Sequence, residues 1–300
     1  MPQLALLLTT VVWGATFPAT KAALEQISPL SFLFLRFLLG TLVVCAVLVL
    51  MRRALTTNTA MLRMSVVASS WLFLGYVLQT VGLHLTTASN SAFITVLYVV
   101  FVPLYLRRLG AHTWVSNGMA LVGLWFLVKP AASANLGDVL TLGSAAAFAA
   151  HIVCLERYTR VTDAVSLFAW QLVLMTVAML GAMWWEEPTA TMFAPTQVLV
   201  VGLVVTGVLA TGAFGVQMWA QQLLPAQQVA LLFAAEPAIA AWLAWYFLGE
   251  NLDAQGWFGS VMILGGVLLG SWVSGEGAAT QATSVSVRPE GGERGSEVRE

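Results

Sequence analysis

One carboxylate, Glu236, stands inside an otherwise apolar stretch, Ala226 to Gly249 (AQQVALLFAAEPAIAAWLAWYFLG), and Pro237 follows it directly. Glu236 lies about ten residues into that stretch, or about 15 Å at helical rise, near the middle of a bilayer's hydrocarbon. A charge there costs about 2.5 kcal/mol or more unless it finds a partner, water or a proton. Pro237 frees a backbone carbonyl one turn earlier and kinks the helix. An acid beside a helix break at that depth marks a site for chemistry, and proton or cation handling is the chemistry it suits.

Few other residues could join it. His151 sits in an apolar run and is the side-chain type whose charge changes near neutral pH, so with Glu236 it would form a proton relay. The competing account is a neutral histidine bonded to a backbone carbonyl. Arg36 and Gln79 fall at similar depth in neighbouring spans. A guanidinium fork there would receive a substrate carboxylate, or would cap helix-end carbonyls or reach outward. Thr9, Trp13, Thr16 and Thr20 project within about 60° of one another on a helical wheel. They form a cavity wall with Trp13 as a stacking surface, unless the threonines bond their own backbone. Ser91, Thr95, Tyr98 and Val102 repeat that pattern, with interhelical bonding as the rival reading. The candidate substrate-binding set is Trp13, Thr16, Arg36, Gln79, Ser91, Tyr98, His151, Gln171 and Glu236. No catalytic group, metal-ligand set or cofactor motif is expected. Cys45 and Cys154 both lie in apolar runs and read as inert small hydrophobes.

The elements that must hold these residues are membrane spans. The chain has 300 residues, 59% hydrophobic and 9% charged, which makes the bilayer its solvent. No basic patch supports nucleic-acid binding. The first apolar run lacks a positive n-region and reads as a span, not a cleaved signal. Ten spans are expected, near 3–24, 30–51, 64–85, 89–106, 112–129, 138–158, 165–185, 195–220, 226–248 and 254–273. The segment 274–300, rich in Gly, Ser, Glu and Arg, reads as a disordered tail.

Counting alternate connections, Arg52, Arg53, Arg63, Arg107, Arg108, Arg157 and Arg160 fall on one side, against Lys129 and Lys21 on the other. That bias puts both termini in the cytoplasm, as do Arg288, Arg294 and Arg299. Glu186, Glu187, Glu250 and Asp253 then lie outside, with Trp184, Trp185 and Trp257 at the outer interface.

An internal repeat organises the spans. Ser31 to Arg36 (SFLFLR) echoes Ser166 to Gln171 (SLFAWQ), Gln79 corresponds to Gln217, and Asn90 to Ala92 (NSA) to Gln228 to Ala230 (QVA). Five spans per half is an odd number, so the second half is inserted upside down. The fold expected is an all-α integral membrane protein of ten transmembrane helices in two inverted five-helix repeats, 1–130 and 131–273.

On these motifs the chain resembles the drug/metabolite transporter superfamily, EamA type. The residues that carry the likeness are Trp13 to Phe17 (WGATF), Ser28-Pro29 leading to Arg36, Ser91 to Thr95 (SAFIT) through Val102-Pro103, and Glu236-Pro237 through Leu248 to Glu250 (LGE). One departure is Arg107 to Gly110 (RRLG), where the family's first unit has a Gly-Glu-Arg-like turn. The resemblance implies a carrier of small metabolites such as amino acids, often outward, in the inner membrane. It also implies that Glu-Pro serves varied substrates and so suits a shared gating or helix-packing part before selection.

The function expected is secondary active transport of amino acids or amphiphilic compounds by alternating access, with a small-molecule substrate, the lipid bilayer and a monomeric or homodimeric state. The lack of a Walker A sequence removes ATP as the immediate energy source. Two alternatives stay open: an intramembrane acid/base enzyme built on His151 and Glu236, against which no HExxH or GxSxG occurs, and a passive channel or structural subunit. Aromatic residues around Glu236, with Trp242 and Trp245 beyond it, suit a substrate with apolar bulk. Gly202, Gly207, Gly212 and Gly215 make the eighth span easy to bend. Gly266 and Gly270 form a GxxxG whose partner is another molecule or the same one, the latter favoured.

Overall fold

A computed structural model describes residues 1–107, 110–128, 135–186, 190–238 and 253–286; the side chains of Ser89 and of 271–286 are not among those described. The described residues are helical and contain no strand. The expectations for Arg108, Lys129, Glu187, Trp242, Trp245, Leu248 to Glu250 and the tail arginines fall outside them.

Local chemistry starts each helix. α1 (Pro2–Ala23) and α2 (Pro29–Leu50) begin on a proline, which costs nothing where the N–H has no partner anyway. Glu186 adds to this at α2, its Oε2 accepting from the N–H groups of Leu30 and Ser31 at 2.8 and 3.2 Å. Asn58 caps α3 (Thr59–Leu85) and Thr87 caps α4 (Ala88–Thr95). After α5 (Tyr98–Leu106) and α6 (Ala111–Val128), α7 (Leu136–Tyr158) opens on a capping box of Asn135 and Asp138. Asp163 caps α8 (Ala164–Ala182), and two short 3₁₀ turns follow it. The eighth span is α9 (Gln197–Leu203), a π-helical segment (Val204–Leu209) and α10 (Ala210–Ala220). α11 (Ala226–Phe233) and α12 (Ala254–Ser286) complete the described set.

Among the described residues six helical stretches are long and apolar enough to cross a membrane: 2–23, 29–50, 59–85, 136–158, 164–185 and 197–220. Asn90–Leu106 and Ala254–Gly270 are shorter apolar helices. Large apolar side chains such as Val49, Val177 and Leu268 lie exposed on the outside, as bilayer-facing residues do. α12 runs past the expected end at 273 to Ser286, so 274–286, expected as part of a disordered tail, is helical. The reason is local: Gly277-Ala-Ala-Thr-Gln-Ala282 is small and Ala-rich, and it extends a helix that is already nucleated.

The helices pair across the midpoint of the chain. α6 packs on α12, α3 on α7, α2 on α8, and α1 on α10. Small residues make the seams close. A Cβ on Gly123 or on Gly259 would meet the other's backbone, so α6 and α12 touch main chain to main chain. Gly266 and Gly270 face Ser116 of α6 and Leu231 of α11, so the GxxxG is satisfied within the chain.

Two spans are broken, and the breaks matter for function. α11 stops at Phe233, two turn residues intervene, and Glu236 to Ala238 resume the helix. Pro237 explains this, because its ring excludes the carbonyl four residues back, that of Phe233. The fourth expected span, 89–106, is likewise two helices, α4 and α5, separated at Val96-Leu97. No proline stands there. Pro103 lies inside α5 and frees the carbonyl of Val99, to which Asn117 Nδ2 of α6 donates at 2.7 Å.

α7 spans the distance between the joints that lead into these broken helices. Near its start, Asp138 accepts from the Thr86 hydroxyl at 2.6 Å, at the α3–α4 joint. Near its end, Glu156 accepts from the Ala226 N–H at 3.0 Å, at the first residue of α11. Asp138 and Glu156 are separated by about 27 Å at helical rise, close to the thickness of the hydrocarbon. The two broken helices therefore start from opposite ends of the bundle.

Candidate functional site

A cavity opens where the two breaks meet. It is lined by Trp13, Thr16 and Phe17 of α1, Leu72, Tyr76 and Gln79 of α3, and Thr95 and Tyr98 at the first break. From the second half come Phe148, His151 and Ile152 of α7, Phe214 and Gln217 of α10, and Phe233 and Glu236 at the second break. It leaves about 70 Å³ for the centres of water-sized spheres, room for a few waters. A substrate of metabolite size needs these walls to move.

Ten of the lining positions form five pairs at a constant separation. Trp13 and His151, Tyr76 and Phe214, Gln79 and Gln217, Thr95 and Phe233, and Tyr98 and Glu236 each lie 138 residues apart. Position is shared within every pair, and chemistry differs in all but the glutamines.

Glu236 is 9% exposed and makes no hydrogen bond or ion pair with the described residues. Its helix break places it at the start of a new turn, and the aromatic edge of Phe233 lies beside Trp13, with ring centroids 6.2 Å apart. His151, 2% exposed, bonds Gln171 Oε1 through Nε2 at 2.8 Å and packs on Phe214 at 5.7 Å. The backbone-carbonyl partner considered for His151 is therefore replaced by a side chain. Gln79 donates to Thr95 at 3.1 Å. Thr16 bonds the carbonyl of Trp13 at 2.7 Å, which is the self-bonding expected of a threonine in an apolar helix, yet it also lines the cavity.

Of the nine candidates, Trp13, Thr16, Gln79, Tyr98, His151 and Glu236 come together on this cavity. Arg36, Ser91 and Gln171 lie outside its lining. Ser91 is fully buried, and its hydroxyl has no partner among the described residues. Gln171 is fully buried behind His151. Arg36 is 6% exposed, its Nη2 donating to the Thr206 carbonyl of the π-helical segment at 3.3 Å. Its guanidinium carbon stands 4.6 Å from the centroid of the Tyr76 ring and 5.3 Å from that of Phe37. Arg36 thus packs on the Tyr76 ring and donates to a carbonyl of the π-helical segment.

Sequence reasoning passed over Tyr76, Phe148 and Phe214 as site residues. Aromatics in apolar spans look lipid-facing, and the one signal available was spacing. Tyr76 precedes Gln79, and Phe214 precedes Gln217, by one helical turn.

Comparison with known proteins decides the family. The profile of the EamA-like transporter family matches residues 1–129 and again 135–272. The chain belongs to the EamA-like transporter family. A protein of Archaeoglobus fulgidus described as an uncharacterized transporter is 29% identical over 273 residues, covering 89% of this chain and 84% of its own. The uncharacterized transporter YoaV of Bacillus subtilis is 23% identical over 284 residues, covering 90% and 96%. A solved crystal structure superposes with a TM-score of 0.73 at 16% identity, over 92% of this chain and 96% of that one, a likeness of fold alone. This EamA-like chain is a membrane transporter, a multi-pass protein whose setting is the lipid bilayer and whose cargo is a small molecule.

Proposed function

We propose that the protein is a secondary active transporter that carries small amphiphilic metabolites by alternating access, with Glu236 as its coupling group. The observation that carries this reading is the Glu236 carboxyl, unpartnered among the described residues, in a cavity where two broken helices meet. A group that must exchange a proton or cation with cargo cannot be tied up in a permanent bond.

The two halves act as inverted five-helix repeats, residues 1–130 and 131–273, in a ten-span bundle with both termini in the cytoplasmic side of the inner membrane. Three features support this: the doubled family match, the constant spacing of cavity pairs, and broken helices that start from opposite ends of α7. Rocking would open the α3–α4 joint, where Lys21 Nζ also holds the carbonyls of Leu83 and Thr86 at 2.8 and 2.7 Å, toward one side. The α10–α11 joint at Glu156 would open toward the other. Export follows if the carrier, once it has released its cargo outside, takes up an external proton for its return. The aromatic walls favour cargo with apolar bulk.

Purified protein in proteoliposomes tests the proposal. A pH gradient should drive saturable accumulation of at least one member of a panel of aromatic amino acids and organic amines. Flux that rises linearly without saturation would make it a channel. Absence of flux together with turnover of a lipid or peptide would make it an enzyme.

A further inference from the structure

Two hydrogen-bond chains lead to the cavity, and each is anchored on an atom that can only accept. The Leu167 carbonyl accepts from Gln171 Nε2 at 3.2 Å. The Gln171 amide oxygen therefore faces His151 and accepts from Nε2–H, 2.8 Å away. In the neutral imidazole the proton then sits on Nε2, and Nδ1 is a bare lone pair. In the second chain the Ile152 carbonyl accepts from Gln221 Nε2 at 2.9 Å. The Gln221 oxygen then accepts from Gln217 Nε2 at 2.9 Å, which leaves Gln217, a lining residue, its oxygen and one N–H for cargo. Gln171 and Gln221 are fully buried, so water does not scramble either order.

With Glu236 these lone pairs make an acceptor-rich set inside aromatic walls. No lysine or arginine is among the lining residues, and residues 239–252, which follow Glu236, contain none either. Arg36, outside the lining, packs on the Tyr76 ring and donates to the Thr206 carbonyl. An ammonium would find a carboxylate, oriented lone pairs and the ring faces of Tyr76 and Phe214. A substrate carboxylate would find neutral donors alone, those of Trp13, the phenols and the amides of Gln79 and Gln217, and would face Glu236 at the same time.

We propose that the site takes a singly charged organic amine, an ammonium on an apolar or aromatic body, in preference to a zwitterion or an anion, and that Gln171 and Gln221 are positioning residues for that choice. This rests on the transport reading above only for how cargo moves; binding preference is a separate property.

Phenethylamine, phenylalanine and 3-phenylpropionate share one ring and differ in charge, which makes them the probes. Equilibrium binding to the purified protein and flux in proteoliposomes are measured for all three. The amine should bind at least about tenfold more tightly than phenylalanine, with phenylpropionate weakest. Equal or reversed preference, or binding of none, overturns the inference. Tight amine binding without flux upholds it while sinking the transport reading, and saturable flux of phenylalanine with no amine binding does the reverse. Gln171→Leu and Gln221→Leu should each shrink the amine-to-phenylalanine ratio several-fold, because the freed His151 and Gln217 can turn donors to the cavity. An unchanged ratio in both would remove the positioning role. A variant that does not fold leaves the wild-type panel decisive.

Discussion

The two halves build the same cavity from matched positions and put different chemistry on them. The first contributes Trp13, Tyr76, Gln79, Thr95 and Tyr98: an indole, two phenols, an amide and a hydroxyl, all neutral groups. The second contributes His151, Phe214, Gln217, Phe233 and Glu236, which include both ionisable groups of the lining apart from the phenols. Two equivalent helix breaks are needed to make a site between halves. A proton-handling group is needed only once, and a second carboxylate at Tyr98 would repel the first across a dry cavity. Division of labour between matched positions is what the comparison teaches.

The supports behind the cavity differ in the same way. Arg36 in the first half and Gln171 in the second fall at corresponding places of α2 and α8, and each backs a cavity residue, Tyr76 and His151 respectively. Arg36 also bonds the π-segment. Replacing it with methionine should cost about 2–3 kcal/mol of stability, read as thermal unfolding in detergent, since a charge-assisted bond and a desolvated cation–π contact are lost. Gln171→Leu should cost about 1 kcal/mol. Equal losses would mean that the two supports are interchangeable.

The breaks themselves can be separated. The second is explained by Pro237 on the spot. At the first span, the orphan carbonyl belongs to Val99 and is rescued at a distance by Asn117. Asn117→Leu should therefore lower stability by about 1–2 kcal/mol. Adding Pro103→Ala should restore most of it, because residue 103 regains an N–H for Val99. Failure of the double variant to recover would show that Asn117 acts elsewhere.

At the joints, Glu156→Gln removes a full charge from the first turn of α11, and a loss of about 0.3–1 kcal/mol is expected. The smallest effect lies at the exposed end of the bundle. Burial alone would raise the Asp163 carboxyl, but hydrogen bonds from Ser166 and the Arg53 guanidinium at 2.9 Å outweigh it and hold it below its ordinary value. A depressed carboxyl stabilises above the unfolded-state value and loses that contribution as pH falls through the folded one. Asp163→Asn should thus cost less than about 1 kcal/mol near neutrality and nothing in strong acid.

Much of this was legible in the chain. Span lengths and the Glu236-Pro237 break follow from apolar runs and proline chemistry. Tyr98 could be matched to Glu236 through Asn90 and Gln228. The break at Val96-Leu97 was not legible, because nothing local at those two residues demands it. The part played by Arg36 was left open between substrate and scaffold, since only the packed structure shows that the guanidinium meets Tyr76 and Thr206. The helix through Ser286 was read as tail because composition reports the lack of an apolar face, not the lack of helical bonds.

The central claim is that Glu236 couples transport, and its measurement uses wild-type protein and Glu236→Gln in parallel proteoliposomes. Accumulation driven by an imposed pH gradient is compared with counterflow, which needs binding and rocking but no net proton movement. The account predicts that Glu236→Gln loses gradient-driven accumulation at any cargo concentration, while counterflow survives once the cargo concentration is raised to offset weaker binding. Normal accumulation with unaltered pH dependence in the variant would contradict it.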